Sequence, residues 1–282
     1  MSQQLSYQHP GYAFLNRYGS LQGEEDVFYY VDFLRTEANL GDALPVNLSK
    51  IYQRFCIPAP IRVPLDEQQG ILLNSYQGLI LIRAADPIVR QRFTEGHELM
   101  ELLFDAQADI QAEFNLEPWD EARKEQLCDA GAAELLMPRS SFTRQVARLG
   151  VSLAAARKFA SIYQASLLAT LIRMLELTEE GCALVLWRYA LKPTEIRRDP
   201  SQAAPKLRIG WCKTNAQWQG GYIPKDKSIG ADSLIAQAYQ TGVAQIAETA
   251  FRWGGKQIDC HVEALPLKMG DQTQVISLLK LV

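Results

Sequence analysis

The chain has 282 residues, 48% of them hydrophobic and 22% charged, with a formal net charge of -3. That length holds two domains or one large one, and the slightly acidic balance argues against wholesale nucleic-acid coating while leaving room for a local basic module. Five cysteines (Cys56, Cys128, Cys182, Cys212 and Cys260) are odd in number and never in C-x-x-C spacing, which argues against a disulfide framework or a cysteine-zinc site and fits a reducing cytoplasm.

The first residues, "MSQQLSYQHPGYAF", lack the basic start and apolar run of a signal peptide and read as a loose tail containing His9. "EEDVFYYVDFLRTEANLG" (24–41) carries apolar residues at helical spacing and closes on Gly41; "VNLSKIYQRFCIP" (46–58) predicts a second helix stopped by Pro58. The period then changes. Residues 61–85 are β-branched and broken at Gly70 and Gly78, predicting two or three antiparallel strands. A helix follows over 87–104, then a polar stretch with Pro118, then an alanine-rich helix over 120–138 that Pro138 ends. From Ser140 the predicted helices are short, with Ser152 and Ser166 as N-caps. After a boundary near 178–181 the pattern turns to strands at 182–192, 207–212, 260–268 and 274–282, interrupted by one helix at 233–242. No apolar stretch approaches the roughly 20 residues that span a bilayer.

Chemistry concentrates in "RFTEGHELMELLF" (92–104). H-E-x-x-H on a helix is a zinc-peptidase signature, in which two histidines one turn apart hold the metal beside a glutamate base. Here the pattern is His97, Glu98, Leu99, Met100, Glu101, so a glutamate stands in the second histidine's place. Residues four apart share a helix face, so His97 and Glu101 can point at one ion with Glu98 to the side. Imidazole nitrogen and carboxylate oxygen are both ordinary zinc donors, and Glu125 on the next helix is the obvious third. The bland alternative is a solvated acidic helix face. The chain's other histidines, His9 and His261, lie elsewhere, so any metal here sits among carboxylates.

With Arg92-Phe93 before His97-Glu98, and "EQLCDAGAAELLMP" carrying Cys128, Gly131-Ala132-Ala133 and Met137-Pro138, the front part resembles the ImmA/IrrE metallopeptidases, IrrE type. The resemblance implies an α+β chain of three parts: a zincin-like metallopeptidase domain (1–138), a helix-turn-helix-like helical module (139–180) and a GAF-like sensor domain (181–282). It implies His97 and Glu125 as metal ligands and Glu98 as base, with Glu101 the one clear departure. Two carboxylates and a neutral imidazole cancel a divalent ion's charge, so the site should acidify its water less than a two-histidine site does. Harder oxygen donors also move preference from zinc, the first expectation, towards manganese or iron.

Residues 139–177 carry six basic side chains (Arg139, Arg144, Arg148, Arg157, Lys158 and Arg173) against Glu176 alone. Short helices with local positive charge suit a helix-turn-helix or, equally, a solvated basic face, and Arg157 and Lys158 are the candidates for weak, salt-dependent contact with DNA or a protein partner. In the last part Trp187, Trp211, Trp218, Tyr222 and Trp253 suit a ligand pocket or a core, with no ligand indicated. Cys260 and His261 are strand neighbours on opposite faces, unsuited to sharing an ion. The resemblance implies a cytoplasmic, metal-dependent endopeptidase that regulates a stress response by cleaving an XRE-type transcriptional repressor. The rival reading is a non-catalytic pseudo-peptidase that binds a repressor or DNA and senses a ligand through its last domain. Neither reading involves a membrane.

Overall fold

The computed structural model describes residues 6–114, 119–198, 204–253, 255–269 and 272–282; Pro118 lies outside them. The chain divides into two compact units, Met1–Phe142 with Lys158–Ala169, and Thr143–Arg157 with Thr170–Val282.

The first unit opens on a helix where the sequence suggested a loose tail. In α1 (Pro10–Tyr18), His9 is the N-cap, its Nδ1 accepting from the Tyr12 amide at 3.3 Å, and Pro10 begins the helix with its φ already suited. Helices α2 (Asp26–Glu37) and α3 (Ser49–Phe55) follow. A three-stranded sheet comes next, with β1 (Ile61–Val63), β2 (Gly70–Asn74) and β3 (Leu79–Arg83) in the order β1-β3-β2. β2 runs antiparallel to β3, as expected, but β1 pairs with β3 in parallel. The central strand buries Ile80 and Ile82 in the core, while β2 forms one edge of the sheet. Helix α4 (Ile88–Phe114) ends ten residues beyond the predicted 87–104, and α5 (Glu121–Leu136) starts on an Asp120 N-cap whose Oδ1 accepts from the Arg123 amide.

Three short helices, α6 (Arg139–Leu149), α7 (Leu153–Tyr163) and α8 (Leu167–Leu177), occupy the predicted stretch. Ser152 and Ser166 both cap, accepting from the amides of Ala155 and Ala169 at 3.0 and 3.1 Å. The division between the compact units falls inside all three helices.

The C-terminal part contains β4 (Cys182–Ala190), α9 (Pro193–Arg198), β5 (Lys206–Thr214), α10 (Leu234–Thr241), β6 (Gln245–Trp253), β7 (Lys256–Met269) and β8 (Gln272–Leu281). The strands form one antiparallel sheet in the order β5-β4-β8-β7-β6. Val185, Trp187, Ile209, Ile235, Ala238, Val262 and Leu279 share its core. Buried Glu263 of β7 accepts from the Leu153 amide at 2.8 Å, and Lys280 of β8 donates to the Val151 carbonyl at 2.9 Å. A strand carboxylate thus satisfies the otherwise open first turn of α7.

Candidate metal centre

Small residues let α4 and α5 approach closely. A Cβ on Gly96 would stand 3.3 Å from the Ala132 Cβ, and one on Gly131 would reach 2.6 Å from Met100 Sδ and 2.9 Å from Val27 Cγ1. Larger residues at these positions would wedge the helices apart. The first turns of α4 are held by buried polar contacts. Glu95 accepts from Arg62 Nη2 at 2.6 Å and from the Tyr52 hydroxyl at 3.1 Å, and Arg92 donates to the Val46 carbonyl at 2.9 Å. One turn on, the Tyr30 hydroxyl donates to the Leu99 carbonyl.

This pairing of helices brings His97, Glu101 and Glu125 together. His97 Nε2 is 3.8 Å from Glu101 Oε1 and 3.5 Å from Glu125 Oε2. Donors at roughly 2.0–2.2 Å from a tetrahedral ion stand about 3.3–3.6 Å from one another, so the spacing fits a divalent cation after small side-chain adjustments. His97 Nδ1 lies 3.0 Å from Asp129 Oδ1. A carboxylate on one ring nitrogen orients the imidazole so that the other faces the ion. Burial works against a charged His97, but the Asp129 hydrogen bond and the charges of Glu98, Asp129 and Glu101 outweigh it and raise its pKa.

Glu98 is 6% exposed and lines a cleft of about 520 Å³ with His97, Glu101, Lys124, Glu125 and the edge strand β2. Burial, reinforced by Glu101 and Glu125 against the opposing pull of His97, raises its pKa from 4.5 to about 7. Its carboxylate accepts from the backbone of Leu72 in β2. Gly70 makes room for it: a Cβ there would lie 2.6 Å from Glu98 Oε1 and 2.3 Å from Thr94 Cγ2.

Three neighbours escaped the sequence reading. Lys124 Nζ sits 2.8 Å from Glu101 Oε2, leaving Oε1 turned towards His97, and also meets Glu121 at 3.2 Å. Burial opposes the Lys124 charge, but Glu101 and Glu121 more than restore it. Its charge offsets the one that Glu101 adds relative to a histidine. The buried Cys128 thiol donates to Glu101 Oε1 at 3.4 Å, and burial together with the Glu101 charge pushes its pKa far up. Asp129 is the third. One signal pointed to Cys128 and Asp129, which lie three and four residues beyond Glu125 and so share its helix face; none marked Lys124.

The other candidates lie apart from this cleft. Arg157 and Lys158 are exposed on α7 and do not line it. Arg173 is buried beside Glu176 at 3.7 Å, so it does not add to an exposed basic face. In the C-terminal sheet Trp187 and Trp253 line a cavity of about 200 Å³, whereas Trp211 and Tyr222 are exposed. Cys260 is buried and His261 faces the other side of β7. A groove of about 440 Å³ lined by α1 and α2 carries no imidazole or thiol among its lining residues.

Residues 61–175, from the first residue of β1 to near the end of α8, match the family model described as Peptidase_M78, IrrE N-terminal-like domain. That stretch is similar to the IrrE N-terminal-like domain. The matched stretch contains His97, Glu98, Glu101, Glu125 and the strand that borders their cleft. A solved structure described as a Mycobacterium tuberculosis transcriptional regulator superposes with a TM-score of 0.56, covering 96% of this chain and 92% of that one at 12% identity, and so shares the fold. A second, described as an RNA-binding Light-Oxygen-Voltage receptor, reaches a TM-score of only 0.25 at 14% identity, covering 68% of this chain and 59% of that one, too low to indicate a shared fold. No curated protein matches the sequence significantly. Among the described residues, no helix is long and apolar enough to cross a membrane.

Proposed function

We propose that the chain is a metal-dependent endopeptidase of the ImmA/IrrE type that regulates a stress response by cleaving an XRE-type transcriptional repressor in the cytoplasm. Its three working parts would be a zincin-like domain (1–138), a helix-turn-helix-like module (139–180) with Arg157 and Lys158 available to a partner or weakly to DNA, and a GAF-like sensor (181–282). The observation that carries this reading is the convergence of His97 Nε2 with Glu101 and Glu125, beside a buried Glu98 whose pKa is near 7. The match to the Peptidase_M78 family and the likeness in fold to a transcriptional regulator support it.

His97, Glu101 and Glu125 would hold the ion, zinc by preference. A divalent cation there supplies Lewis-acid polarisation of the scissile carbonyl and acidifies the attacking water. Glu98 takes the proton of that water and returns it to the leaving amine, a task suited to a group with a pKa close to the working pH. The backbone contact from Leu72 and the space at Gly70 keep the Glu98 carboxylate in the cleft. The edge of β2 presents backbone groups that an extended peptide can pair with, which favours a protein substrate.

Glu98→Gln keeps the ligands and removes the base. Metal content should be unchanged while repressor cleavage falls by about 10²–10⁴-fold, the usual contribution of general-base catalysis. Equal regulation by the parent and Glu98→Gln would end the peptidase reading. The alternative, a pseudo-peptidase that regulates by binding, is favoured by the Lys124 ammonium on Glu101, because a carboxylate already paired with a cation is a weaker metal donor.

A further inference from the structure

We infer that Cys128 is itself a ligand of the metal centre, entering it as a thiolate from the buried side. The inference rests on the metal site proposed above and adds a donor to it. Among the described residues one atom each of His97, Glu101 and Cys128 fall within 4.8 Å of one another, a grouping of nitrogen, oxygen and sulfur around one point. The sulfur lies 3.4 Å from Glu101 Oε1, close to the about 3.6 Å that separates an oxygen from a sulfur on one tetrahedral ion with Zn–O near 2.1 Å and Zn–S near 2.3 Å.

Position and chemistry agree with this role. Cys128 lies one turn beyond Lys124 on α5 and is fully buried, so its sulfur is already desolvated and held in place. Glu125 has a side chain 54% exposed, so it is the donor free to swing out of the site. His97, Glu101 and Cys128 then form the fixed set, and Glu125 holds the exchangeable position. On coordination the Cys128 proton leaves to solvent, and its hydrogen bond to Glu101 gives way to a shared contact with the ion. The Lys124 ammonium on Glu101 Oε2 stands beside the site and opposes part of its total negative charge. A thiolate also restores the softness lost with the second imidazole, turning the site back towards zinc and away from manganese or iron.

Cobalt(II) loaded into the full-length chain tests this without reference to activity. A cobalt thiolate absorbs intensely in the near ultraviolet by charge transfer, whereas nitrogen and oxygen ligands give only weak visible bands. The parent protein should show the charge-transfer band. Cys56→Ser should retain it, and Cys128→Ser should lose it while keeping the visible bands. Should Cys128→Ser fail to fold, zinc X-ray absorption on the parent decides, with a sulfur scatterer at about 2.3 Å expected. Cobalt bound with visible bands alone, or zinc with no sulfur neighbour, overturns the role of Cys128 and leaves the His97, Glu101, Glu125 site standing. A parent chain that takes up no cobalt and no zinc overturns both.

Discussion

Glu98 is held partly protonated at neutral pH by its surroundings. Its pKa is about 7 in the fold against 4.5 ordinarily, because burial and two nearby carboxylates disfavour the charge. The folded chain therefore binds the extra proton, and Glu98 lowers stability as pH rises from about 4.5 through about 7. At roughly 1.4 kcal/mol per pKa unit the cost above that window is about 3 kcal/mol. In chelator, Glu98→Gln should therefore melt at a higher temperature than the parent at pH 8, and the gap should close towards pH 4.5. Thermal unfolding of both proteins across that range checks it, and a gap independent of pH would show that the carboxylate ionises normally. His97, Glu98 and Glu101 stood out in the sequence by the H-E-x-x-E spacing, and Glu125 by its place on the next helix and the resemblance to the ImmA/IrrE metallopeptidases. Lys124, Cys128 and Asp129 did not, since a lysine, a cysteine and an aspartate on a helix have many ordinary uses. Only the packing of α5 on α4 shows which face they share with the ligands.

At the scale of elements, the distance between α4 and α5 governs the site. Gly131 sets it, because a side chain there meets Met100 and Val27. Gly131→Val should lower stability by about 1–3 kcal/mol, as overpacked cores do, and weaken metal binding by moving Glu125 and Cys128 away from His97. Chemical denaturation and metal titration measure the two effects, and a variant that loses stability but binds metal as the parent does would separate the helix spacing from the site. Apolar residues at helical spacing closed by Gly41 and Pro138 made α2 and α5 readable, and Ser152 and Ser166 marked the starts of two of the short helices. The elements that escaped lack such end signals or depend on distant partners. α1 is only nine residues long and behind a polar leader; β6 is an edge strand alternating half-buried and exposed residues; the parallel pairing of β1 depends on a partner distant in sequence.

At the scale of the molecule, the sequence pattern suggested a boundary near 178–181, where helices give way to strands. The compact units are divided differently, with Thr143–Arg157 grouped with the C-terminal sheet. Composition could not show this, because the ties are two side chains of the sheet, Glu263 reaching the Leu153 amide and Lys280 the Val151 carbonyl. A fragment of residues 181–282 would leave Glu263 buried without the Leu153 amide, a loss of about 1–3 kcal/mol. Residues 143–282 should therefore unfold at a higher temperature than residues 181–282, by calorimetry on the two fragments. Equal melting temperatures would show that the C-terminal sheet is complete without α7.

The contact between Lys124 and Glu101 also constrains how this chain could change over generations. A histidine at position 101, the residue an H-E-x-x-H site would carry, would face an ammonium instead of being answered by one, and Lys124 would keep only Glu121 as partner. Neither substitution is neutral while the other residue stays as it is, so the two positions are coupled. A two-histidine site on this scaffold would therefore call for a change at 124 together with the one at 101.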